Sequence, residues 1–138
     1  MTPLLLRSVK FARTLIGVQF FRVVGLLFVY GLRNGTLPAA FVLPASTGDT
    51  LIAITGPILA YWLGRGGIRT WAVALVWNGL GLADLANAVA LGAITGSTPT
   101  IVANYSFVLF GVIAAVAFHT AAIALLLRKV TRDYFVAK

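Results

Sequence analysis

TWAVALVWNGLGLADLANAVALGAIT, residues 70–95, decides what kind of chain this is. As a helix rising about 1.5 Å per residue it is long enough to cross a hydrocarbon core of about 30 Å. Yet it holds Asp84, with Asn78 and Asn87 nearby. An ionised side chain at mid-span costs about 2.5–3.5 kcal/mol on insertion scales, so its retention calls for a partner or a purpose. Three further apolar stretches of comparable length lie at about residues 14–32, 44–64 and 101–127. Of the 138 residues, 60% are hydrophobic and 10% charged. Soluble domains run near a quarter charged. The chain reads as all-α, an integral membrane four-helix bundle in one domain. The loops RGGIR and GSTPT are short and rich in turn residues, which makes successive helices antiparallel neighbours in an up-down arrangement.

Charge distribution orients the bundle. The net charge of +8 is concentrated in Arg7, Lys10 and Arg13 before the first span, Arg65 and Arg69 between the second and third, and Arg128, Lys129, Arg132 and Lys138 after the fourth. Only Arg33 falls in a loop on the other side. By the positive-inside rule both termini are expected in the cytoplasm. The same residues would sit against anionic lipid headgroups, a sufficient role that needs no nucleic-acid partner. Tyr61, Trp62 and Trp71 fall at the expected inner interface, with Tyr30 and Tyr105 near the outer one. The absence of cysteine excludes disulfides and thiolate chemistry. The basic start followed by Arg22 within the apolar run reads as a retained first span; a mitochondrial presequence, and hence a mitochondrial inner membrane, is the minor alternative. The loop RNGTLPAAFVLPASTGD, residues 33–49, is read either as a re-entrant or lid segment or as an ordinary loop resting on the interface.

Polar groups within the spans are few: Gln19, Arg22, Asp49, Asn78, Asp84, Asn87 and His119. Counting depth from the cytoplasmic ends puts Asp84 at about 21 Å and Asp49 at about 22 Å, with His119 near 13 Å and Arg22 near 12 Å. Helical side chains lean toward their own N-terminus, so Asp84 leans inward and His119 outward. The two are expected to meet at mid-membrane, supported by Asn87. Arg22 leans inward, to meet Asn78 or to snorkel toward the headgroups. Asp49, in STGDT, either caps the second helix or joins the polar site. Asn78 and Asn87 read as interhelical hydrogen-bond glue. No catalytic triad, phosphate loop or multi-imidazole metal spacing is present, so no enzymatic activity is expected.

FRVVGLLFVYGLRNGTLP, GDTLIAITGPILAYWL and WNGLGLADLANAV together resemble a group of small, uncharacterised bacterial four-helix membrane proteins. In layout they are also similar to DoxX-like tetraspan proteins, in which an acidic residue opens the second helix. The resemblance implies a four-helix fold and a bacterial inner membrane, and no activity. Three functions fit the residues. The first is binding or translocation of a small solute or proton at a mid-membrane site of Asp84, His119 and Asn87, a buried pair able to change protonation near physiological pH. The second is a noncatalytic accessory subunit, or a homodimer, whose polar residues lock helices together. The third is a haem or quinone binder using His119, with Trp77 as packing surface.

Overall fold

The computed structural model describes residues 3–137, and side chains from residue 7 onward. Among these the chain is helical, without a strand. Four helices are long and apolar enough to cross a membrane: Arg7–Arg33, Ala39–Leu63, Ile68–Ile94 and Ser106–Leu127. At about 1.5 Å per residue even the shortest, of 22 residues, reaches about 33 Å.

The first span is composite. Helix α1 (Pro3–Gly17) tightens into a 3₁₀ segment, Val18–Leu26, before resuming as α2 (Leu27–Arg33). Helix α3 (Ala39–Leu63) is the second span and α4 (Ile68–Ile94) the third. A short α5 (Thr98–Asn104) leads into the fourth span, α6 (Ser106–Leu127), and α7 (Lys129–Val136) ends the described chain. Each span packs on the next and the fourth closes back on the first, so the four form a ring.

Turns follow the glycines where the backbone demands them. Gly66 and Gly67, between α3 and α4, adopt φ of 80° and 96°, a region L-residues with a side chain avoid. Spans one and two approach closely at Gly56, where an added methyl group would lie 2.8 Å from the Ile16 carbonyl oxygen.

Several sequence expectations are corrected. The second span begins at Ala39, so most of residues 33–49 is helix and neither a re-entrant lid nor a loop. Pro44 and Pro57 both lie inside α3 without ending it. The expected span 101–127 is two helices, because Tyr105 takes φ −133° and ψ 31°. Its half-buried ring packs edge-on against Phe28, with centroids 5.7 Å apart. The basic tail folds as α7, burying Thr131 and Phe135 at i, i+4 while Arg132 and Asp133 stay exposed.

The interior is layered. One apolar cluster, including Ile16, Leu59, Leu63, Ala74, Leu126 and Phe135, fills the end where α7 packs. A second, including Phe28, Phe41, Val42, Ile101 and Val108, fills the other end. Along every span the buried polar residues fall between the two.

Candidate functional site

Arg22 organises the polar layer. It lies in the 3₁₀ segment, where three residues per turn stack positions i and i+3. Gln19, Arg22 and Gly25 therefore form one straight buried row. Wound as an α-helix, Gln19 and Gly25 would point about 120° apart. Nothing in VQFFRVVGL announces this winding, and nine residues is long for it.

The guanidinium joins three other spans. Its Nε donates to Asp49 Oδ1 at 2.8 Å, and Nη2 lies 2.6 Å from the same oxygen. Nη2 also donates to Asp84 Oδ2 at 2.5 Å. Nη1 stands 3.5 Å from His119 Nε2, and His119 Nδ1 lies 2.9 Å from Asn78 Oδ1. Asn78 returns its amide to the Ala74 carbonyl at 2.7 Å. Among the described residues these are the ion pairs of the interior. Such charge-assisted bonds are the strong kind, and low dielectric strengthens them further.

Burial is uneven across the cluster. Arg22 is 3% exposed, and Asn78, His119 and Gln19 are fully enclosed. The Asp49 and Asp84 side chains retain 17% and 20% exposure. Each carboxylate reaches Arg22 through one oxygen. With both ionised, one negative charge stands uncompensated by Arg22.

Glycines make the close approach possible. A methyl group on Gly25 would strike Asp49, one on Gly48 would strike Asp84, and one on Gly81 would strike His119. Each charged or imidazole side chain is thus laid directly on the backbone of the adjacent span. Ser46 adds a hydrogen bond of 3.0 Å to the Gly25 carbonyl, fastening α3 to the end of the 3₁₀ segment. Trp77 packs on the His119 ring at 5.3 Å and donates to Thr55 Oγ1 at 2.8 Å. Gln19 donates to the Ala115 carbonyl at 3.3 Å, and its Oε1 has no partner among the described residues.

The sequence expectations for this site are partly redrawn. Asp84 and His119 do converge, but on Arg22 rather than on each other. Arg22 does not snorkel, and its contacts are Asp49, Asp84 and His119 rather than Asn78. Asp49 does not cap or open a helix; α3 begins at Ala39, about three turns earlier. Asn78 bridges α4 to α6 through His119. Asn87 is exposed on the outer face of α4 and outside the cluster, since three residues beyond Asp84 turns it about 60° away. One sequence signal pointed to the true arrangement: Arg22 is the only cation away from the span ends, and two carboxylates lie at one depth.

An apolar cavity of about 130 Å³ adjoins Asp49, walled by Phe28, Phe41, Leu85, Ile101 and Val108. A second void of about 20 Å³, touching Arg22 and Asp49, lies beside it.

Fold and site together define a small helical protein with four helices long and apolar enough to cross a membrane, built around a buried arginine–dicarboxylate centre. The chain belongs to the family described as Domain of unknown function (DUF8737), whose family model matches residues 5–127. That match takes in all four spans and every residue of the polar centre, and stops before α7. No curated protein and no solved structure matches the chain.

Proposed function

We propose that this is an integral protein of the bacterial inner membrane, with both termini cytoplasmic, whose Arg22 centre binds or translocates a small solute or a proton. The outward faces of the spans support membrane insertion, carrying exposed large apolar residues such as Leu51, Ile54, Val76, Leu80, Phe110 and Ile113. Orientation follows the concentration of basic residues on the side of the termini and the α3–α4 turn. Anionic headgroups are the natural neighbours of that side.

The observation that carries the functional reading is the unequal pairing of charge. One enclosed guanidinium faces two carboxylates, each engaged through one oxygen and each partly accessible. Intramembrane carboxylates that face a cavity mark solute or proton pathways. His119 extends the network through Asn78 without itself being exposed. The haem alternative finds little support, because both imidazole nitrogens already face protein groups.

A second reading rests on the same contacts: the centre fastens four helices together, and the protein is an accessory subunit of a larger complex or a homodimer. Buried ion pairs are weak evidence of stability but well suited to fixing register. Purification in mild detergent, followed by native mass spectrometry of wild type and Asp84→Asn, separates the two. A bound small molecule that the variant loses supports the binding site. A wild type carrying no small molecule but a stoichiometric protein partner supports the accessory subunit and removes the first reading.

A further inference from the structure

The cavity beside Asp49 has a composition that specifies its ligand more closely than the charge centre alone. All but two of its lining residues are apolar or aromatic, or the glycine Gly92; the exceptions are Asp49 and Thr98. Asp49 is its one charged wall residue. The Arg22 guanidinium, which would favour an anion, is enclosed and directed at the two carboxylates. Arg22 engages Asp49 through Oδ1, while Oδ2 lies against the Gly25 backbone, and the carboxylate forms part of the cavity wall. A cation entering here meets a carboxylate that shares one guanidinium with a second carboxylate, and its remaining atoms meet hydrocarbon.

Size narrows the class further. At about 130 Å³ the cavity is slightly smaller than the engineered apolar cavity of about 150 Å³ that takes up benzene. Pockets of this kind bind by burying an apolar body and fixing one polar group. The route is also suggested by shared walls. Leu85, Val89 and Val112 line both the cavity and a larger apolar groove between α4 and α6 on the outside of the bundle.

We infer that the cavity is a binding site for a small amphiphilic amine, its ammonium on Asp49 and an apolar body no larger than about one benzene ring between Phe28, Phe41 and Val108. The ligand reaches it from the bilayer, by the α4–α6 groove. The inference rests on the reading of the Arg22 centre as a binding site and adds the class of solute.

The test uses the full chain in lipid nanodiscs, titrated calorimetrically with benzylammonium, with toluene as the uncharged body and benzoate as the opposite charge. Benzylammonium is expected to bind saturably at one per chain, and the other two probes at least about tenfold more weakly, a difference of ~1.4 kcal/mol. Val108→Phe on α6 and Ile101→Phe on α5 fill the cavity from different helices and keep the Arg22, Asp49 and Asp84 side chains. Each should weaken benzylammonium about tenfold or more while circular dichroism and elution volume stay unchanged. Equal binding of toluene and benzylammonium, or binding indifferent to both filling variants, overturns the inference. A co-purifying molecule lost in Asp84→Asn but not displaced by benzylammonium also overturns it while leaving the polar site standing. Absence of both the molecule and the binding removes the inference and the reading beneath it.

Discussion

Arg22 and Arg65 are the same side chain in two settings. Arg65, at the turn after α3, is exposed, donates to the Tyr61 hydroxyl at 2.9 Å and lies 4.8 Å over the Tyr61 ring. Its charge is exposed, and the aromatic contact is an addition. Arg22 is enclosed and depends on Asp49 and Asp84. The difference teaches that the cost of an arginine in this fold is set by what it would lose, because a buried charge without its partner keeps its desolvation penalty. It also shows how strongly the four spans are tied to one another through a single residue.

The sharpest way to break this contrast is to remove the buried charge alone. Arg22→Met leaves two carboxylates unpaired and is expected to cost about 3–5 kcal/mol, read by unfolding in mixed micelles. The triple variant Arg22→Met, Asp49→Asn, Asp84→Asn should recover most of that loss, since replacing a whole buried ion group with neutral residues is often tolerated. A triple variant no more stable than Arg22→Met would mean that the charges are not what couples the spans.

An intermediate effect probes the seating of the cluster. Gly81→Ala forces the His119 ring away and should cost about 1–3 kcal/mol, as overpacking does. Gly79→Ala, two residues away on the same helix with open space before it, should be neutral or slightly stabilising because alanine favours helix. Equal thermal shifts for the pair would show that the imidazole is not held against that backbone.

The smallest change is expected at the exposed arginine. Arg65→Ala should alter stability by no more than about 0.5 kcal/mol, the usual range for surface substitutions. A loss comparable with that of Arg22→Met would erase the distinction between the two settings.

The candidate site was legible as a list but not as an arrangement. Depth counting put Asp49 and Asp84 at one level, and both do meet one guanidinium. It misdirected Arg22 because it assumed regular α-helix through residues 18–26, whereas 3₁₀ winding aligns that residue with Gln19 and Gly25. Asn78 and Asn87 are nine apart on α4 and looked alike in sequence; one is enclosed against His119 and the other faces outward. Apolar residues surround both on a span that is hydrophobic all round, so no periodicity distinguishes the inner face. The break at Tyr105 was hidden for the same reason, since no proline or glycine marks it.

What the sequence determined by itself was the class of fold, since length and apolar composition admit four long helices and short glycine-bearing turns make neighbours of them. It also determined the charge asymmetry between the two ends. Only the tertiary structure decided that Arg22 is shared by two acids, that glycines on adjacent spans seat Asp49, Asp84 and His119, and that a cavity opens beside one carboxylate. Those features depend on how helices rotate and approach one another, and rotation is unspecified where every face of a helix is apolar.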